Sequence, residues 1–222
     1  ISTPNFRKYA AASNVLTPVL NVKFFVSVII PAYNQEELIR KAITSIPIRN
    51  DIEIIVIDDG STDNTFKVAG ETVASHYTLI KNRENQGVAK AVNKGYDHAQ
   101  GEYIVLLGSD DYFYTDKFEE IIPELDGTDL EYFDMQVNNG DIWEINNESK
   151  NILCGSVKFM RKKFVGNTRC PEDRKSGEDV QFYQELLKKK PTEKFTHIVL
   201  KHYNHPREGS LTDLVRKGII NE

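Results

Sequence analysis

Three pairs of adjacent carboxylates, Asp58-Asp59, Asp110-Asp111 and Glu178-Asp179, are the residues of this 222-residue chain best equipped for chemistry. Each pair follows an apolar run or opens a helical pattern, so each is expected where a strand ends or a helix begins. Acids crowded into one crevice repel each other unless a cation sits among them. A hard divalent ion carrying a diphosphate is the natural occupant, because Mg²⁺ and Mn²⁺ prefer oxygen ligands. One such pair alone is explained by turn and helix-cap chemistry. Three of them on one alternating topology point to a site.

The elements that must position these acids can be traced along the chain. An apolar run over residues 26–30, closed by Pro31, suits a strand of a parallel sheet covered on both faces. Asn34 with Glu37 three residues on reads as a capping pair for a helix carrying Leu38, Ile39, Ala42, Ile43 and Ile46. Residues 52–57 form a second run, ended by Asp58-Asp59-Gly60-Ser61, with a helix expected over 63–76. A third strand over 77–80 leads through Asn85-Gln86-Gly87 to a helix with Val88, Ala91, Val92, Gly95 and Ala99 on its apolar side. A fourth, over 103–107, ends in Gly108-Ser109-Asp110-Asp111. This alternation predicts an open, mostly parallel α/β sheet, whose ligands bind beyond the carboxyl ends of the strands.

Beyond Leu125 the alternation stops. Residues 131–137 and 142–145 read as short strands joined at Asn138-Asn139-Gly140-Asp141, a hairpin signal. A polar loop over 167–177, a helix over 178–190, a strand over 196–203 and a C-terminal helix from Leu211 come next. Residues 1–24 read as an N-terminal extension and 25–222 as one domain, with a nucleotide-binding half expected over 25–111 and a smaller α+β, acceptor-side half over 112–222.

Composition removes several classes. With 28 basic against 33 acidic residues the net charge is −5, which gives no electrostatic grip on nucleic acid or anionic lipid. The longest apolar stretch is too short to span a bilayer. Cys154 and Cys170 form neither a metal cluster nor a redox motif, so a cytoplasmic setting, or one peripheral to a membrane, is expected. The chain opens on Ile1 without a signal-peptide pattern, as an excised domain would.

Five ordered motifs carry a resemblance. Residues 26–37 (VSVIIPAYNQEE), 53–65 (EIIVIDDGSTDNT), 85–95 (NQGVAKAVNKG), 101–111 (GEYIVLLGSDD) and 176–182 (SGEDVQF) resemble family 2 glycosyltransferases in order and spacing. The resemblance implies a GT-A fold that binds a nucleotide-diphosphate sugar and transfers the sugar with inversion, Mn²⁺ or Mg²⁺ assisting. By it, Pro31, Ala32, Tyr33, Asp59, Asn85, Ser109 and Asp110 would hold the donor nucleotide, with Tyr33 near the base and Asp58 securing the loop. Asp110 would be the direct metal ligand and Asp111 an assisting one, or a cap for the segment after it. His205, Arg207 and Ser210 would reach the diphosphate from a segment that closes over it. Asp179 would be the general base and Glu178 its neighbour in the acceptor site. The donor would be a UDP-sugar, and the acceptor a hydroxyl on a glycan, a lipid-linked sugar or a protein.

Two positions depart from that pattern. Gly108 stands where the family usually has the first aspartate of Asp-x-Asp, and Val92 where many relatives have arginine. They motivate a rival reading, a sugar-nucleotide-binding domain that has lost catalysis. A receiver-type signalling module also clusters acids at strand ends, but it has no role for Glu178-Asp179.

Overall fold

The computed structural model describes residues 23–72, 76–151, 155–173 and 177–205. Its centre is built from the β-branched runs. Strands β1 (Val26–Ala32) and β2 (Ile52–Asp58) are buried almost throughout. With β3 (Tyr77–Lys81) and β4 (Tyr103–Leu106) they form a parallel set in the order β3-β2-β1-β4. Alternation along β1 divides the molecule into two cores. Val28 and Ile30 face α1 (Ile39–Thr44) and α2 (Thr65–Glu71), while Ile29 faces α3 (Val88–His98). Gly95 lets α3 lie close on the sheet: a Cβ there would stand 2.3 Å from Cγ2 of Ile29.

The sheet continues past β4 in mixed sense. β4 pairs antiparallel with β8 (Lys158–Arg161), and β8 pairs antiparallel with β6 (Leu130–Val137). β6 then runs parallel to β9 (Glu193–Tyr203), and β5 (Tyr112–Phe113) closes the edge against β9. β7 (Ile142–Trp143) returns on β6 as the expected hairpin, with Gly140 at φ +90° in its turn. The acidic pairs lie as the topology requires, Asp58-Asp59 at the end of β2 and Asp110-Asp111 just past β4. Glu178-Asp179 opens α6 (Glu178–Lys188).

Several local expectations are corrected. Asn34 does not cap α1, whose N-cap is Leu38 without a side-chain bond. Asn34 has φ +51°, and its Oδ1 instead accepts from the Thr62 amide on the loop after β2. Glu36, not Glu37, makes the next tie, accepting from the Asn64 amide. The helix expected over 63–76 is shorter, ending at Glu71. Strands β5 and β8, and helices α4 (Thr115–Ile121) and α5 (Lys162–Val165), had no sequence signal of their own. β8 interrupts its apolar run with Lys158, and β5 is two residues long, so neither shows a period. The C-terminal helix from Leu211 and residues 1–22 lie outside the described residues. Among the described residues, no helix is long and apolar enough to cross a membrane.

Candidate active site

Beyond the ends of β1 and β4 lies a cavity of about 460 Å³. Pro31 and Gly108 form its floor, Glu178 and Asp179 one wall, and Lys201, Tyr203 and His205 another. Four separate segments therefore meet at one opening. Trp143 on β7 also borders it, and its ring lies 5.7 Å from that of His205. Tyr203 and His205 stack at 5.2 Å. His205 is thus an arm of the cavity wall. Arg207 and Ser210, expected to join it, lie outside the described residues.

Residues at the ends of β1, β2 and β3 form a hydrogen-bonded corner. The Asp59 amide donates to the Ala32 carbonyl at 2.8 Å, continuing the sheet one residue past the strands. The Asp59 carboxylate is buried and accepts from Asn82 Nδ2 at 2.7 Å and from the amides of Gln86 and Gly87 at 3.1 and 2.8 Å. It shapes the turn into α3. Asp58 is fully buried, accepts from the Ser61 amide at 3.1 Å and lies 3.5 Å from the Lys81 ammonium. That is the loop-securing role expected of it. Asn85 closes a small turn by accepting from the Gly87 amide at 2.9 Å. Tyr33, just past β1, is 41% exposed.

Past β4, Gly108 explains how the second acidic pair is arranged. A Cβ at residue 108 would stand 2.9 Å from both Asp110 Oδ1 and Asp111 Oδ2. The two carboxylates fold over the space that a side chain at 108 would fill. Ser109 is buried. Asp111 is also buried: its Oδ1 accepts from the Asn204 amide at 2.9 Å, and its Oδ2 lies 3.3 Å from Lys201 Nζ. Burial pushes the Asp111 carboxyl above its ordinary value, with Lys201 opposing and Asp110 adding to the shift.

Among the described residues, no three His, Cys, Asp or Glu side chains converge as a metal cage. A divalent ion that rides on a diphosphate needs no such cage, since one or two carboxylates suffice when phosphate oxygens and water complete its shell. Asp110 fits that donor set. Asp111, engaged by a buried ammonium and a backbone amide, contributes charge behind it.

The third acidic pair is positioned by a local stop. Gly177 has φ +71°, which turns the chain into α6, and Glu178 and Asp179 fill its first turn. Acids there complement the helix dipole, and here they also face the cavity. Burial raises the Glu178 carboxyl above the usual range, with Asp179 adding to it. Cys170 lies nearby, its thiol pushed up to about 12 by burial and by these two acids, which leaves it a packing residue.

Sequence reasoning missed Lys158 and Lys201, two ammoniums on the cavity wall that are each 3% exposed or less. Lys158 Nζ donates to the Gly155 carbonyl at 3.0 Å and lies 4.6 Å from the Tyr183 ring centroid. The signal was available: a lysine inside an otherwise apolar strand run, as in Val157-Lys158-Phe159-Met160 and Val199-Leu200-Lys201, is seldom buried without a partner.

Comparison with known proteins bears on the family and the fold. The family model described as "Glycosyl transferase family 2" matches residues 27–182. An uncharacterized glycosyltransferase of Rickettsia conorii is 38% identical over 120 residues, which covers 53% of this chain and 20% of that protein. TuaG of Bacillus subtilis, provisionally named a teichuronic acid biosynthesis glycosyltransferase, is 29% identical over 191 residues, 76% of this chain and 74% of TuaG. The chain thus spans only a fifth of the length of the first of these relatives. Staphylococcus aureus TarS 1–349 in complex with UDP-GlcNAc superposes with a TM-score of 0.73 at 21% identity, covering 85% of this chain and 61% of TarS 1–349. The mannosyltransferase PcManGT of Pyrobaculum calidifontis, in complex with GDP-Man and Mn²⁺, gives 0.65 at 20% identity, covering 86% and 60%. The fold shared with these two is the GT-A glycosyltransferase fold.

Proposed function

The chain belongs to glycosyl transferase family 2, and from that premise we propose that it transfers a sugar from a nucleoside diphosphate donor to a hydroxyl acceptor, with inversion, within a single domain. One observation carries the reading. Glu178 and Asp179 at the start of α6 border the same cavity as Gly108 at the end of β4, which supports placing a base and a leaving-group site around one opening. The donor nucleoside would lie in the corner made by Pro31, Ala32, Tyr33, Asp59 and Asn85, and Ser109 and Asp110 would lie toward its ribose and diphosphate. UDP as the base carrier is supported by TarS, whose structures contain UDP and UDP-GlcNAc.

In the transfer, the acceptor oxygen forms a bond to the anomeric carbon as the bond from that carbon to the phosphate oxygen breaks. The bonding electrons leave with the diphosphate, and the acceptor proton passes to the base. Asp179 is that base, because it lies in the first turn of α6 and borders the cavity. Glu178, with its raised carboxyl, orients the acceptor beside it. His205, with Arg207 and Ser210 farther on, would reach the diphosphate from the segment after β9. Mn²⁺ or Mg²⁺ held by Asp110 would neutralise diphosphate charge when bound.

The acceptor would be a glycan, lipid-linked or protein hydroxyl met in the cytoplasm or at its membrane face. A thermal-shift panel of nucleotide sugars with and without Mn²⁺, followed by NMR of the anomeric configuration of the product, tests this reading. A product that retains the donor configuration would refute the single-displacement scheme. Gly108 favours one alternative, a domain that binds the donor without turning it over. Saturable donor binding with neither transfer nor hydrolysis across an acceptor panel would select it.

A further inference from the structure

We propose that Lys201 is a built-in counter-cation for the diphosphate of the donor, an inference that rests on the donor-binding reading above. Its ammonium is on the cavity wall, 2% exposed, held 3.3 Å from Asp111 Oδ2 and 2.6 Å from Ser156 Oγ. An ammonium has three N–H bonds to give. These two partners take two of them, and the cavity borders the same group. The acid that fixes it, Asp111, is 4% exposed and bonded at its other oxygen to the Asn204 amide. The cation is therefore anchored from behind and from the strand on which it rides, without rotamer freedom to lose when an anion arrives.

The position is the one that matters for leaving-group departure. Lys201 is two residues before Tyr203 and four before His205, all on the same wall, and it reaches across to the segment that carries Gly108 and Asp110. Where the family commonly has a first aspartate this chain has Gly108, so the strand end carries one carboxylate fewer. Asp111 is matched by Lys201, leaving the local charge less negative than an Asp-x-Asp-Asp sequence would. A strand end built this way repels a diphosphate less before any divalent ion binds, and Lys201 offers it a fixed positive partner. As the bond from the anomeric carbon to the phosphate oxygen breaks, the electron pair arriving on that oxygen is met by a fixed ammonium, which is worth more in a water-poor site than in solvent.

Calorimetry of UDP and of uridine, each in chelator and in Mn²⁺, tests the assignment. Lys201→Met leaves Asp111 buried without its cation, a loss that can unfold the chain, so the paired variant Lys201→Met/Asp111→Asn keeps the site neutral. Lys201→Arg keeps the charge. In chelator, the neutral pair should bind UDP about tenfold more weakly than the wild type, about 1.4 kcal/mol. Uridine, which lacks the diphosphate, should bind both equally, and Lys201→Arg should recover most of the UDP affinity. Equal UDP affinity in the wild type and the neutral pair would overturn the role of Lys201, as would an equal loss for uridine, which marks a structural effect. A wild type that binds no nucleoside diphosphate at all would overturn the donor-binding reading together with it.

Discussion

The side-chain amide of Asn93 and the backbone of Cys170 form a reciprocal pair of hydrogen bonds. Asn93 Nδ2 donates to the Cys170 carbonyl at 2.9 Å, and the Cys170 amide donates to Asn93 Oδ1 at 2.8 Å. Helix α3 thereby grips the chain segment that precedes α6. Asn93→Ala leaves both backbone groups of Cys170 buried without partners, a cost of about 1–3 kcal/mol each. We expect a lower melting temperature and, at temperatures where the variant is folded, a loss in kcat larger than the change in donor affinity. Circular dichroism melting with steady-state kinetics checks both.

The base assignment separates chemistry from binding. Asp179→Asn keeps size and removes proton acceptance, so transfer should fall by about 10²-fold or more. Donor affinity measured by calorimetry should hold, since the base acts on the acceptor and not on the diphosphate. Asp110→Asn should instead weaken Mn²⁺-dependent donor binding. Near-normal turnover of Asp179→Asn with the true acceptor would move the role to Glu178.

Restoring the missing aspartate should not be benign. Gly108→Asp must displace the carboxylates of Asp110 and Asp111, because the space for its Cβ lies 2.9 Å from each. Gly108→Ala imposes the same crowding without the charge. We expect both to lower stability, and only the aspartate to make donor binding more dependent on Mn²⁺. Urea unfolding and calorimetry at two metal concentrations distinguish the steric effect from the electrostatic one.

Glu131 on β6 supplies a pH signature away from the site. Its carboxylate is fully buried with neither oxygen hydrogen-bonded, and burial raises its pKa to about 7, with Lys194 opposing and Asp126 and Glu124 adding to the rise. The folded chain therefore holds a proton there that the unfolded chain releases nearer pH 4.5. Stability should fall as pH rises between those values, by on the order of 1–2 kcal/mol, and then level off. Glu131→Gln should remove that portion of the slope in urea titrations at pH 4.5, 6 and 7.5.

The parallel half was legible because its strands are continuous β-branched runs with glycine- and acid-rich ends, each followed by a helical period. Residues 26–32, 52–58 and 88–98 show this directly. The mixed half was read less well for a physical reason. β5 and β8 are two and four residues long and gain their stability from neighbours distant in sequence, Lys201 and His202 for β5 and Tyr103 to Val105 for β8. Pattern cannot report pairing of that kind. The acidic pairs were visible as chemistry, but their partners were not. That Asp59 would be bonded to Asn82 and two loop amides, or that Asp111 would meet Lys201, depends on how strands are ordered, and no local signal encodes that order.

The placement of β9 has a consequence for how the molecule comes into being. A ribosome delivers β1 to β4 before β9, so the strands of the parallel half are complete before their last neighbour emerges. Asp111 emerges with them, yet its cation and the amide that caps it arrive only with residues 201 and 204. Until then this acid has no reason to leave water. Until β9 emerges the nascent chain thus carries an unfinished strand end, and one wall of the cavity is missing. An intermediate stalled before β9 should expose that end to solvent and to chaperones, and it should lack the wall formed by Lys201, Tyr203 and His205.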